Sequence, residues 1–218
     1  MTDQENLQDR LLLINKPLRW TSFDVVNKLR NILNIKKIGH AGTLDPLATG
    51  LLIICTGKMT RRIEEFMGLE KEYTGTLVLG QTTPSHDLET TVSESKDISH
   101  LTTEAIQHAA LQLTGTILQI PPSHSAIKIG GKRAYALARK GKEPDLPPRE
   151  VVVKEFVITK VSLPDVYFRV TCSKGTYIRS LVRDFGETLG VGAYLSQLCR
   201  TRIGDYHLAD ALTLDQVK

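Results

Sequence analysis

One domain of mixed strand and helix is the fold that this 218-residue sequence predicts. Three observations predict it. Short apolar runs closed by turn residues are interleaved with segments whose apolar residues recur at helical spacing. No internal repeat or low-complexity linker interrupts them. A hydrophobic fraction of 41% and a charged fraction of 24% are ordinary for a soluble globular chain long enough to bury most of its apolar surface.

The elements follow in order. LLLIN, Leu11–Asn15, is an apolar run that Lys16-Pro17 closes, and reads as a strand. In TSFDVVNKLRNIL, Thr21 or Ser22 offers an N-cap, and Val25, Leu29, Ile32 and Leu33 fall on one helical face. LLIIC reads as a buried strand and TRRIEEFM as a short helix. KEYTGTLVLG places Tyr73, Gly75, Leu77 and Leu79 on one side, as a strand does. TEAIQHAALQLTG reads as a helix ending at Gly115, and KRAYALARKG as a short basic helix stopped by Gly141 before the Pro-rich EPDLPP. VVVKEFVITK and VYFRVTCS read as strands. TYIRSLVRDFGETLG reads as a helix, with Ile178, Leu181, Val182, Phe185 and Leu189 at helical spacing. Residues 121–150, basic and bounded by proline on both sides, stand out as an inserted arm.

Charge is distributed unevenly. The net charge is only +4, from 28 basic and 24 acidic residues. Residues 124–149 nevertheless hold Lys128, Lys132, Arg133, Arg139, Lys140, Lys142 and Arg149 against Glu143 and Asp145, whereas residues 85–104 hold five acids and only Lys96. Such a split predicts one face built for a polyanion. Cys55, Cys172 and Cys199 are isolated, so a zinc site or a disulfide framework is not expected, and a reducing cytoplasm is the natural compartment. The polar, acidic start MTDQENLQDR does not read as a secretion signal, and no apolar run approaches the roughly 20 residues that span a bilayer. The expectation is a soluble cytoplasmic protein.

Among possible motifs, Gly57-Lys58 follows an apolar strand but is no phosphate loop, because Leu52 and Met59 occupy the positions that need Gly and Ser or Thr. No G-x-S-x-G or H-E-x-x-H pattern supports a hydrolase or a metalloprotease. The stretch GHAGTLDPLATG, Gly39–Gly50, surrounds one carboxylate, Asp45, with glycines and a proline. It reads either as a turn, since Asp-Pro starts turns, or as a loop that presents Asp45 to a substrate. The second reading needs a fixed cation to hold the carboxylate ionised and, for a nucleobase, an aromatic face to stack on. Tyr73, Tyr177 and Arg179 are the candidates.

GHAGTLDPLATGLLIICTGKMTR, together with INKPLRWTSFDVV, KEYTGTLVLGQTTPSHD, SAIKIGGKRAYALARKG and SKGTYIRSLVRDFGETLG, closely resembles the bacterial tRNA pseudouridine(55) synthases. The resemblance runs co-linearly from about Leu11 to Leu214. It implies the pseudouridine synthase fold, an α+β architecture with a mixed, mainly antiparallel sheet flanked by helices, and an inserted basic RNA-binding arm. It implies an isomerase that flips one uridine out of the T-arm of tRNA. The substrate partner is the tRNA T stem-loop. No metal, no organic cofactor, no membrane and no obligatory protein partner are expected.

The resemblance also assigns roles. Asp45 matches the catalytic aspartate, either adding covalently to the ribose or helping to form and quench an intermediate there. Tyr73 matches the tyrosine lying against the base and taking the proton from C5; its plain alternative is a core-facing strand aromatic. Arg179 matches the arginine paired with the catalytic aspartate, a position that alone reads as a solvated helix residue. Tyr177 and Leu198 match residues lining the base pocket, and His40 one beside the flipped nucleotide. Asp87 matches a polar residue at the pocket edge, with an ordinary turn as its rival. Lys16 and Pro17 match a block that supports the loop structurally. Lys132 and Arg133, on the basic arm, are expected to contact RNA phosphates.

Two departures stand out. LCRTR places Cys199 where the family commonly has an arginine, which removes a phosphate contact. Many relatives append a small RNA-binding domain, and the expectation for residues 1–218 is a single catalytic domain without it, docking through the basic arm. Two rival functions remain in view: a non-catalytic RNA-binding or chaperone module, and a subunit of a guide-RNA-dependent pseudouridine synthase.

Overall fold

The computed structural model of the chain describes residues 9–123, the backbone of 128–129 and 132–133, and residues 146–217. The chain forms two compact units, one of Met1–Thr74 with Gln197–Lys218 and the other of Gly75–Ser196.

In the first unit, β1 (Leu11–Lys16) pairs antiparallel with β3 (Ala48–Thr56), from Leu11 opposite Cys55 to Lys16 opposite Gly50. β2 (Ile38–His40) pairs antiparallel with the far end of β3. β12 (Ala193–Ile203) runs parallel to the start of β3, with Leu198 opposite Ala48, and β13 (Tyr206–His207) folds back on β12. β3 is a continuous apolar run because both of its faces are covered. Leu52 and Ile54 join Ile14, Val25, Val26, Leu29, Leu214 and Val217, while Leu51, Ile53 and Cys55 join Ala41, Phe66 and Ile203.

The first of these clusters is closed by α1 (Ser22–Leu33), whose buried positions are Ser22, Val25, Val26 and Leu29. Burying a Val or Leu side chain of this kind contributes about 1.5–3 kcal/mol. Thr21 caps the helix: its hydroxyl accepts from the Asp24 N–H, while the Asp24 carboxylate accepts from the Thr21 N–H. That reciprocal arrangement typically stabilises a helix start by about 1 kcal/mol. The second cluster is closed by α2 (Ile63–Gly68), entered through a 3-10 helix at Gly57–Arg62.

In the second unit, β4 (Lys71–Leu79, its later part), β11 (Asp165–Cys172), β10 (Arg149–Ser162) and β7 (Gly115–Gln119) lie in that order. β10 pairs antiparallel with β11 and with β7. α3 (Thr103–Gln112) buries Ile106, Ala109 and Ala110, and α4 (Ile178–Thr188) buries Leu181, Val182 and Phe185. Phe185 meets Phe156 of β10 at 5.5 Å between ring centroids, and Phe156 meets Phe168 of β11 edge-on at 5.7 Å. β5 (Gln81–Thr82) pairs with β6 (Glu94–Ser95).

Gln119 and Arg149 stand directly opposite each other in the β7–β10 ladder, so the basic segment leaves and returns at one point of the sheet. Within it, β8 (Lys128–Ile129) pairs with β9 (Lys132–Arg133). The basic helix expected from Lys132 is therefore a strand at its first two residues. Residues 134–145 and the side chains of Lys132 and Arg133 lie outside the described residues.

Most other predicted elements form where the patterns place them, one helix ends early, and β12 went unread. The helix expected to reach Gly115 ends at Gln112, where the Thr114 hydroxyl takes the Ala110 carbonyl and Gly115 turns into β7 at φ 100°. β12 has no apolar alternation in AYLSQLCRTRI, because one inward position is a charged residue, Arg200. Among the described residues no helix is long and apolar enough to cross a membrane.

Candidate active site

The Gly39–Gly50 stretch is held by backbone hydrogen bonds on both sides of Asp45. Ser22, at the start of α1, grips the preceding residue twice: its hydroxyl accepts from the Leu44 N–H at 2.9 Å and donates to the Leu44 carbonyl at 3.3 Å. The Pro46 carbonyl, on the other side, accepts from the Arg19 N–H at 2.8 Å and from Lys16 Nζ at 3.4 Å. The Ala48 N–H closes a turn onto the Asp45 carbonyl at 3.0 Å. Further out, Arg200 Nη2 donates to the Gly42 carbonyl at 3.2 Å, and Nε to the Leu51 carbonyl at 2.7 Å. A half-buried carboxylate thus sits on a backbone fixed from both sides. Such preorganisation is what a catalytic loop requires.

Gly50 explains the glycine that ends the stretch. Its φ is 101°, and a Cβ there would strike the backbone oxygen of Arg200. The parallel pairing of Gly50 with Arg200 admits no side chain.

Two cations back this loop. Lys16 is fully buried, and Nζ also donates to the carbonyls of Pro17 at 2.9 Å and Trp20 at 2.7 Å. Burial pushes its pKa down to about 8, against the pull of the Asp45 carboxylate, while the Arg200 charge pushes further down. The structural role expected of the Lys16-Pro17 block takes this concrete form. Arg200 is 1% exposed.

His40, on β2, is half-buried, and its Nδ1 has no hydrogen-bond partner among the described residues. Burial and then the Arg200 charge lower its pKa, which keeps the ring neutral near pH 7. Leu198 lies beside the loop, its carbonyl accepting from the Thr49 hydroxyl at 3.4 Å and its backbone opposite Ala48. Tyr73 is 8% exposed on β4, next to Glu72, whose carboxylate accepts from Thr201 of β12 at 2.8 Å. Asp45, His40, Tyr73 and Leu198 all belong to the first unit.

Arg179, Tyr177 and Asp87 belong to the second. Arg179 is 3% exposed, which removes the reading of a solvated helix residue. Its Nε lies 3.5 Å from Asp87 Oδ2, and its Nη1 donates to the Ser85 carbonyl at 3.2 Å. Asp87 is no simple surface turn: it is 3% exposed, forms a bridge to Leu195, and its Oδ1 accepts from the Glu89 N–H at 2.9 Å. Tyr177 precedes α4 and is half-buried, its ring 5.1 Å below the Arg149 guanidinium.

Sequence reasoning missed Ser22 and Arg200 as loop-holding residues. Ser22 was legible only as a rival cap to Thr21. Cys199, opposite Thr49, is half-buried, whereas Cys55 and Cys172 are buried. Among the described residues no three His, Cys, Asp or Glu side chains gather as metal ligands would.

Comparisons with known proteins bear on the family. Residues 30–178 match the model of the TruB family pseudouridylate synthase N-terminal domain, and residues 179–218 match that of the tRNA pseudouridylate synthase B C-terminal domain. The chain is 50% identical over 221 residues to tRNA pseudouridine synthase B of Flavobacterium johnsoniae, covering 98% of this chain and 96% of that protein. It is 51% identical to the protein of the same name from Phocaeicola vulgatus, covering 95% of this chain and 91% of that one. Among solved structures, a chain in a Cbf5–Nop10–Gar1 complex superposes with a TM-score of 0.75 at 30% identity, over 97% of this chain and 54% of that one. This chain thus spans about half the length of that solved chain. The chain belongs to the TruB family of pseudouridylate synthases.

Proposed function

We propose that this chain converts uridine 55 in the T-arm of tRNA to pseudouridine, with Asp45 acting at the ribose. The observation that carries the reading is its likeness, near 50% identity over almost full length, to proteins named tRNA pseudouridine synthase B. The backbone clamp on the residues flanking Asp45 supports it.

The reaction breaks the bond from base N1 to ribose C1′, turns the base, and joins C5 to C1′; C5 loses a proton and N1 gains one. Atoms and electrons balance within the substrate. The target base must leave its stack before any of this happens. Asp45 is the nucleophile at the sugar, and Arg179, held by Asp87, is the arginine of the site. Tyr73 lies against the base and takes the C5 proton. His40, Tyr177 and Leu198 line the place of the flipped nucleotide, and Lys132 and Arg133 contact phosphates. The partner is the tRNA T stem-loop, without metal or obligatory protein partner, in the cytoplasm.

The test is incubation of the purified chain with unmodified tRNA transcript, followed by mapping of pseudouridine. Modification at position 55 by wild type, absent with Asp45→Asn while tRNA still binds, is the expected result. Binding by both without any pseudouridine would favour a non-catalytic RNA-binding module. The fold likeness to chains of Cbf5 complexes favours a second reading, in which a guide RNA supplies the target. Activity of the lone chain on bare tRNA excludes that reading.

A further inference from the structure

Gln119 is fully buried, and burying a primary amide is costly unless both of its ends are bonded. Both ends are taken up by the backbone of one residue. Nε2 donates to the Tyr177 carbonyl at 3.1 Å, and Oε1 accepts from the Tyr177 N–H at 2.8 Å. These are the two bonds that a neighbouring strand would make, supplied here by a side chain. Arg149, directly across the ladder from Gln119, sets its guanidinium 5.1 Å from the Tyr177 ring centroid. One cross-strand pair therefore grips both the backbone and the ring of a single tyrosine. The adjoining carbonyl of Ile120 accepts from Ser180 at 2.8 Å and from Arg183 at 3.2 Å, which ties the same strand end to α4. This pair is also where the basic segment leaves and re-enters the sheet.

We infer that Gln119 and Arg149 are positioning residues that fix Tyr177 for the incoming nucleotide. The inference rests on the reading of Tyr177 as a wall of the nucleotide pocket. Tyr177 is held by that pair through two hydrogen bonds and a stacked guanidinium. Uridine entering the pocket meets a tyrosine already set.

The experiment measures tRNA affinity and single-turnover pseudouridine formation at saturating enzyme for Gln119→Leu, Arg149→Met, Arg149→Lys, Tyr177→Leu and Arg149→Met with Tyr177→Leu. Gln119→Leu and Arg149→Met should each slow the saturated rate about tenfold, because misplacement costs rate rather than encounter. Affinity should change by no more than about threefold, since phosphate contacts are untouched. Arg149→Lys, which keeps a cation over the ring, should recover part of the rate. In the Tyr177→Leu background, Arg149→Met should cost about twofold or less, as coupled sites require. Loss confined to affinity, or an Arg149→Met effect equal in both backgrounds, overturns the inference. If Gln119→Leu does not fold, the Arg149 series decides. Failure of the underlying reading looks different: Tyr177→Leu alone would then turn over at the wild-type rate.

Discussion

Lys16 Nζ donates to the carbonyl oxygen of Pro46 at 3.4 Å, which puts a fully buried ammonium against the residue that follows Asp45. Its pKa, lowered by burial to about 8 from an ordinary 10.5, makes this contact sensitive to pH. Above about pH 8 the folded protein loses one of three N–H donors and the charge near Asp45. Turnover should fall there with an apparent pKa near 8, while Lys16→Met should be slower and flat over the same range. Titration of Lys16 itself does not promote unfolding over this range. The unfolded chain keeps this proton up to about 10.5, binds more protons in that window, and the group's contribution to stability therefore rises with pH. A wild-type profile without an alkaline limb would refute the role.

The Asp87–Arg179 pair should show its worth in stability as well as in rate. Both side chains are 4% exposed, so Asp87→Ala takes a carboxylate away from a guanidinium that has little access to water. Removing one partner of a buried pair costs about 3–5 kcal/mol. For a chain of this size that lowers the unfolding midpoint by roughly 10 °C. Arg179→Lys should also lose most of the turnover, since an ammonium cannot reproduce the planar fork that reaches Ser85 and Asp87 together. A scanning calorimetry midpoint unchanged in Asp87→Ala would mean that the pair contributes nothing.

How far the site was legible follows from the kind of contact. Asp45 stands out in the sequence because Gly, Pro and Thr around it constrain the backbone locally. The Thr21–Asp24 capping box spans three residues and could be read directly. The grips of Ser22 on Leu44 and of Arg200 on Gly42 span 22 and 158 residues, and no local pattern encodes such a register. Arg200 hid its own strand as well: a guanidinium satisfied by backbone carbonyls occupies an inward position where alternation calls for an apolar residue. Arg179 misled in the same way, because a lone arginine on a helix normally faces water.

His40 should make the protein acid-sensitive. Burial and the Arg200 charge depress its pKa below the ordinary 6.5, so the unfolded chain takes up a proton before the folded one does. Stability from this group is present above about 6.5 and is lost as pH falls below it, by at most about 1.4 kcal/mol per pH unit. Urea midpoints at about pH 7.5 and 5.5 should differ less in His40→Gln than in wild type. Equal differences in the two proteins would show that His40 titrates as it does in water.

Tyr73 offers the cleanest separation of stacking from proton transfer. Phenylalanine keeps the ring, so a flipped base still has a face to pack on, a contact worth about 1–3 kcal/mol. What it loses is the hydroxyl, the only group of this side chain that accepts a proton once ionised. The ordinary tyrosine pKa is about 10, so a base role needs the phenol to lose its proton during the reaction. Tyr73 is 8% exposed on β4, and phenylalanine there removes only the hydroxyl. Tyr73→Phe should therefore bind tRNA within about twofold of wild type yet form little pseudouridine, whereas Tyr73→Leu should lose affinity as well as turnover. Filter binding and single-turnover mapping of pseudouridine read the two effects separately. Near-wild-type turnover in Tyr73→Phe would leave Tyr73 as a stacking face and assign the C5 proton to another group.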